Sequence, residues 1–205
     1  MSLWMLFTTS FLVGFSGAMM PGPMLTATIS ESLRRGFRAG PLIVLGHGLI
    51  EGALVIALAA GVGPFLAAPG VTRIIALVGG SVLILMGLHM AFQGRKLHLD
   101  IPAKDPITDV ASPVLAGIWT SASNPYFFIW WATIGLSFIT DARPSGAHAV
   151  GVFYAGHILS DLVWFSFIAW MAAKGRRFLP DRVFRSLVMV CGLSLVGLGA
   201  WFILA

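Results

Sequence analysis

The sequence predicts an all-α, polytopic membrane protein with six transmembrane helices, and three observations lead to that prediction. Of its 205 residues, 58% are hydrophobic and only 10% are charged, whereas soluble domains carry roughly 25% charged residues. Six segments reach the length of about 20 apolar residues that a helix needs to cross the hydrocarbon core. The Lys and Arg residues concentrate in alternate loops. We therefore expect a single transmembrane domain over residues 1–205.

The six apolar segments follow one another along the whole chain. They are predicted over about Leu3–Ile29, Gly40–Leu66, Val71–Phe92, Pro113–Ile139, His148–Ala173 and Val183–Leu204. No Lys or Arg precedes the first segment, so it lacks the basic region of a secretory signal peptide, and we expect it to stay in the membrane. The single cysteine, Cys191, excludes a disulfide within the chain.

The basic residues orient the predicted helices. All but two of the 13 Lys and Arg residues lie in or beside the loops that follow the first, third and fifth segments, and the exceptions are Arg73 and Arg143. Cytoplasmic loops carry the excess of Lys and Arg, so that side is predicted to be cytoplasmic and both termini periplasmic or extracellular. We expect a multi-pass protein of the cell inner membrane, in contact with lipid and not with nucleic acid.

A histidine and an acid lie four residues apart in two of the segments. The second segment contains His47 and Glu51, and the fifth contains His157 and Asp161. Residues four apart lie on one face of a helix. Both acids are expected near the middle of the ~30 Å core, where an ionisable group is costly and usually marks a pathway. An imidazole beside a carboxylate is suited to proton exchange; the alternative is a buried polar pair that only holds helices together.

Two segments contain sequences that interrupt a helix. Proline removes a backbone donor and clashes with the preceding turn, and interrupted backbone at membrane depth is tolerated where it lines protein or a cavity. Breaks in matching places of two halves point to a binding site, and their free N–H groups favour an anionic group such as a carboxylate. A simple proline kink is the alternative. The residues predicted to contact substrate are Pro21, Gly22 and Pro23 in the first segment and Ser123, Asn124 and Pro125 in the fourth.

The His–acid pattern recurs after about 110 residues, which suggests an internal repeat. The half-repeats would cover about 1–93 and 112–205, joined by a cytoplasmic loop over 94–111. Each half has three segments, an odd number, so the second half must be inverted relative to the first. Inverted repeats of this kind are common in secondary transporters.

These features together resemble the LysE/RhtB family of amino-acid exporters, and the resemblance covers the whole chain. It is carried by Pro21-Gly22-Pro23, the basic turn Arg34-Arg35-Gly36-Phe37-Arg38-Ala39-Gly40, Asn124-Pro125, and the glycines Gly192, Gly197 and Gly199. The resemblance implies a transporter and not an enzyme. It implies export of a small amino acid or derivative, driven by proton exchange.

A zwitterionic amino acid would fit both kinds of feature. The helix breaks would hold its carboxylate, while Glu51 and Asp161 would bind its ammonium group or carry the coupling proton. His47 and His157 are the proposed partners of these acids in proton coupling. No cofactor and no resident metal is expected.

Other interpretations remain open at this stage. The two acids and two histidines could be ligands for an exported divalent cation, or the acids could serve an intramembrane hydrolase as a carboxylate pair. A structural membrane subunit is a further alternative. Trp130 and Trp131 could line a cavity, although packing or contact with lipid is the more ordinary role. The sequence names neither the substrate nor the stoichiometry, and it leaves the oligomeric state open, a homo-oligomer included.

Overall fold

The computed structural model describes residues 2–20, 22–66, 68–94, 111–175 and 180–204, and these residues form helices and no strand. The helices are α1 Leu3–Ala18, α2 Pro23–Arg35, α3 Ala39–Ala57, α4 Gly63–Leu66, α5 Pro69–Gly94, α6 Ala111–Ala122, α7 Pro125–Trp130, α8 Leu136–Ala142, α9 Ala147–Gly175 and α10 Asp181–Leu204. Two π-helical turns, Leu58–Val62 and Trp131–Gly135, join α3 to α4 and α7 to α8. The all-α prediction is confirmed for this part of the chain.

Three helices within the described ranges are long and apolar enough to cross a membrane. They are Ala39–Leu66 and Pro69–His89, each with a mean hydropathy of 2.1, and Ala147–Gly175, with 1.4. A fourth span results if α1 and α2, which are bent by 80° from each other, are counted as one. The structure thus supports a membrane protein with several helical spans, whereas the full set of six crossings stays a prediction.

The chain leaves the helical conformation at both places where the sequence predicts a break. Gly22 is the extended N-cap of α2, and Pro23 is the first residue of that helix. Asn124 caps α7 in the same way, and Pro125 follows it. Proline is well tolerated at a first helical position because its missing N–H would have no partner there. Pro21 lies outside the described residues.

Glycines bring the helices into contact at three interfaces. A Cβ built on Gly199 would lie 2.5 Å from the carbonyl oxygen of Gly80, so α10 and α5 touch through their backbones. Gly46 of α3 lies against the backbone of α6, and Gly156 of α9 lies against the backbone of α1. Small residues allow membrane helices to approach this closely, and van der Waals packing then stabilises the pair. The last two contacts hold α3 and α9, which carry the His–acid pairs, against their neighbours.

The outer surface is apolar. Trp4, Ile56 and Leu204 are 75%, 72% and 84% exposed. Exposed apolar surface on this scale is unfavourable in water and suits lipid contact. Buried aromatic side chains, among them Phe153 and Trp131, fill the interior beside α3 and α9 instead. The His–acid pairs of these two helices are buried in this interior and held away from lipid.

We expect Gly199→Ala to lower the thermal stability of the purified protein in detergent. The new Cβ must displace the carbonyl of Gly80, and overpacking of this kind costs about 1–3 kcal/mol. Gly197→Ala is the matched control, because a Cβ at that position of the same helix would meet nothing within 4 Å. Unfolding followed by tryptophan fluorescence measures both; equal Tm values would contradict the close α5–α10 contact.

Candidate functional site

The two His–acid pairs meet in one buried cluster. α3 carries His47 and Glu51 on one face, and α9 carries His157 and Asp161 in the same way, as the four-residue spacing predicts. All four side chains are buried, and Glu51 is only 1% exposed. The faces of α3 and α9 that carry these residues point at each other, so the two pairs converge.

Glu51 is the centre of the cluster. Its Oε1 lies 3.0 Å from Nε2 of His157 and 3.2 Å from Nε2 of His47. The same oxygen accepts a hydrogen bond from the indole N–H of Trp131 at 3.1 Å. On the other side, Oδ2 of Asp161 is 3.6 Å from Nε2 of His157 and 3.7 Å from Nε2 of His47. Each imidazole therefore lies between two carboxylates.

The second ring nitrogen of His47 is held by α6. Nδ1 is 2.7 Å from the hydroxyl oxygen of Ser121, and that hydroxyl donates to the carbonyl oxygen of Gly117 at 2.7 Å. A serine hydroxyl has one proton, so once it donates to Gly117 its oxygen must accept from the Nδ1–H. Nε2 of His47 then carries a proton only when the imidazole is cationic.

His157 is held differently from His47. Among the described residues, its Nδ1 has no hydrogen-bond partner. Gly14 of α1 lies beside this nitrogen, and a Cβ built on Gly14 would be 3.0 Å from it. His157 is therefore oriented by its contact with Glu51 and by ring packing against Trp130, whose ring centre is 4.5 Å from that of the imidazole.

A cavity joins the cluster to both helix breaks. Its lining includes Gly22, Asn124, Ser121, Glu51 and Asp161. The two breaks face one another, because a Cβ on Gly22 would lie 3.7 Å from Nδ2 of Asn124. Counted by the positions that the centre of a water molecule can occupy, the cavity volume is about 60 Å³. At roughly 10–15 Å³ for each water on this measure, the cavity has room for a few waters. A small polar ligand can thus contact the breaks and the cluster at once.

The predicted break residues that the structure describes are not placed alike. Gly22 and Asn124 line the cavity. Pro23 is buried at the first turn of α2. Ser123 and Pro125 line a separate apolar groove against α5. The geometry therefore favours Gly22 and Asn124 as contacts for a ligand in the cavity, and it turns Ser123 and Pro125 away from it.

Two further residues of the site make contacts that were not predicted from the sequence. Ser121 belongs to the polar stretch before Asn124, and its hydroxyl in an apolar helix was the available signal. Trp131 gave no such signal, because its partner Glu51 is 80 positions away in the chain. Trp130 and Trp131 are both buried and line the cavity, so they do not face lipid.

A helical membrane protein with a polar cavity between interrupted helices has the form of a secondary transporter. The sequence pattern of the LysE type translocator family matches residues 15–205, and the chain belongs to this family. The resemblance seen in the sequence is thereby confirmed, and the family indicates a transporter and not an enzyme.

Two relatives match nearly the whole chain. The putative amino acid efflux protein YcgF of Bacillus subtilis is 24% identical over 198 residues, which are 96% of this chain and 94% of that protein. The chemotactic transduction protein ChpE of Pseudomonas aeruginosa is 28% identical over 197 residues, or 94% of this chain and 95% of that protein. No solved structure matches this chain.

We expect Trp131→Phe to destabilise the protein more than Trp130→Phe. The first change removes a donor to a buried carboxylate, and hydrogen bonds to charged groups contribute about 1.5–3 kcal/mol. The second removes a bond of 3.2 Å from the indole of Trp130 to the neutral hydroxyl of Ser16, worth about 0.5–1.5 kcal/mol. Both variants lose the same ring area, and thermal unfolding in one detergent compares them. Equal losses would argue against an energetic role for the bond to Glu51.

Proposed function

We propose that this protein exports a small amino acid or an amino-acid derivative across the inner membrane in exchange for protons. The observation that carries the proposal is that one cavity is lined both by the helix breaks and by the His–acid cluster. Membership of the LysE type translocators supports transport, and YcgF is named a putative amino acid efflux protein. The name of ChpE specifies no substrate, so the substrate class rests on the chemistry of the cavity.

An amino acid has ends that match the two sides of this cavity. α2 begins at Pro23, directly after its N-cap Gly22, and the positive end of its helix dipole favours a carboxylate there. The side-chain amide of Asn124, whose Nδ2 faces Gly22, can add a hydrogen-bond donor. Gly22 has no Cβ, so a ligand can approach the backbone closely. The carboxylates of Glu51 and Asp161 favour an ammonium group. The small cavity selects a small substrate and excludes a large side chain in this conformation.

Proton coupling follows from the unequal hydrogen bonding of the two acids. Oε1 of Glu51 accepts a hydrogen bond from the indole N–H of Trp131 and lies 3.0 and 3.2 Å from Nε2 of His157 and His47. Oδ2 of Asp161 has no hydrogen-bond partner among the described residues. Asp161 therefore gains most from binding a proton or the substrate ammonium, while Glu51 holds the imidazoles in position. A proton and the substrate ammonium would neutralise the same carboxylate, so they exclude each other. Alternating access to the two sides of the membrane then converts this exclusion into exchange.

The transporter is proposed to have six crossings in an inverted three-plus-three repeat. The packing supports this arrangement, because the contact of α1 with α9 has its counterpart in the contact of α6 with α3, with the two halves exchanged. The α5–α10 contacts pair Gly80 with Gly199 and Gly87 with Gly192. One half-repeat is about 112 residues, so Gly80 of the first half corresponds to Gly192 of the second, and Gly87 corresponds to Gly199. Each pair therefore corresponds to the other pair with its partners exchanged. This reciprocal pairing is what a two-fold axis between the halves requires.

We expect Asp161→Asn to reduce proton-driven transport about tenfold or more, since losing a charged interaction of about 1.5–3 kcal/mol changes an affinity by that factor. Substrates would first be selected by thermal shift of the purified protein with single amino acids and amines, and uptake into proteoliposomes under a pH gradient would then be measured. Asp141→Asn is the matched control, because Asp141 is exposed at the end of α8. Full pH-driven uptake by the double variant Glu51→Gln, Asp161→Asn would refute the coupling role.

We also expect the termini to lie outside the cytoplasm. Cys191 is the one cysteine, so Cys191→Ser gives a cysteine-free background. In intact cells, a membrane-impermeant maleimide should label Ser2→Cys and Ser145→Cys, whereas Phe37→Cys should react only after permeabilisation. Labelling of Phe37→Cys in intact cells would invert the proposed orientation.

A further inference from the structure

We propose that the His–acid cluster is a binding site for a divalent transition-metal ion. The ligands would be Nε2 of His47, Nε2 of His157, and one oxygen each from Glu51 and Asp161. The donor atoms of His47, Glu51 and Asp161 already lie within 4.8 Å of one another. Metal binding here does not depend on amino-acid export, and it departs from the expectation, drawn from the sequence, of a protein without a metal.

The nitrogen–oxygen separations in the cluster are close to those around a tetrahedral ion. A four-coordinate Zn²⁺ with bonds of about 2.0–2.2 Å holds its ligand atoms about 3.3–3.6 Å apart. The Oε1 of Glu51 is 3.0 and 3.2 Å from the two Nε2 atoms. The Oδ2 of Asp161 is 3.6 and 3.7 Å from the same nitrogens. These four nitrogen–oxygen separations differ from the tetrahedral value by a few tenths of an ångström. Only the donors of His47, Glu51 and Asp161 lie within 4.8 Å of one another, so His157 must move closer to serve as the fourth ligand. Two imidazoles with two carboxylates suit Zn²⁺ and its neighbours.

The hydrogen bonds around the cluster are those that metal ligands need. A metal-bound histidine generally donates its other ring N–H to an outer group that fixes the ring. Here Nδ1–H of His47 donates to Ser121, whose hydroxyl donates to Gly117. The lone pair of Nε2 is thereby directed at the two carboxylates, which repel it unless a cation lies between them. On the acid side, Trp131 donates to Oε1 of Glu51 and leaves that oxygen a second lone pair for an ion.

Unpartnered buried oxygens are a second and independent observation. Oδ2 of Asp161 and Oε2 of Glu51 are buried without a hydrogen-bond partner among the described residues. Leaving such a group unsatisfied is costly, most of all when it is charged. Two carboxylates and two neutral imidazoles carry a net charge of −2, which one divalent ion cancels. Two protons, one on each imidazole, cancel the same charge, so ion and protons compete for the cluster and metal binding releases protons.

Cobalt titration of the purified, tag-free protein in detergent tests this site. Tetrahedral Co²⁺ gives an intense visible absorption band, and octahedral Co²⁺ gives a weak one. We expect one Co²⁺ per chain with the intense band, its displacement by Zn²⁺, and weaker binding at acid pH. Absence of binding, or binding with only the weak band, would overturn the proposal.

Variants connect the band to the four ligands. Asp161→Asn should abolish the band, and Ser121→Ala, which keeps all four ligands, should weaken Co²⁺ binding about 10–100-fold. His148→Gln is the control, since His148 is an exposed histidine outside the cluster. A band that is unchanged in Ser121→Ala and Asp161→Asn, or lost in His148→Gln, would place the ion elsewhere. The readout is a spectrum, so a protein that gives the band but transports no amino acid would refute only the export proposal.

Discussion

The buried carboxylate of Glu51 is the constraint on which the rest of the interior depends. An ionisable group in apolar surroundings is tolerated only when partners meet it. Its own helix supplies His47 one turn away, α9 supplies His157, and the turn after α7 supplies Trp131. No single helix can offer all three partners. Satisfying one carboxylate therefore requires that three separate stretches of the chain be packed at fixed distances from α3.

Glycine on α3 makes that packing possible. Tyr154 of α9 donates its hydroxyl to the carbonyl oxygen of Gly48 at 2.6 Å, and its ring lies against Gly52. On another side of α3, Gly46 admits the backbone of α6, and that contact is what places Ser121 beside His47. Larger side chains at these positions would separate the helices and leave the buried carboxylate short of donors. The second segment is thus rich in glycine because its buried acid needs close packing with neighbouring helices.

Local features of the structure could be predicted from the sequence, and features that depend on helix crossing could not. The prolines predicted the positions of both breaks, and helical periodicity predicted that each histidine lies on the same face as its acid. Which face of α6 points inward was not encoded locally. Ser121 and Ser123 are two residues apart and so point to nearly opposite sides of a helix, and only packing against α3 selects Ser121. The partner of Trp131 depends on the same crossings, because a hydrogen bond across 80 positions leaves no local pattern.

The two histidines occupy corresponding positions in the proposed repeat, yet their surroundings differ. Ser121 contacts Nδ1 of His47, whereas the residue beside Nδ1 of His157 is Gly14, which has no side chain to donate or accept. His47 is thereby restricted to exchanging a proton at Nε2, inside the cluster. His157 keeps both nitrogens available, one facing Glu51 and one facing α1. A ring with two available nitrogens can take a proton on one side and release it on the other. In the proton exchange that we propose, we therefore expect His157 to be the better proton carrier of the pair.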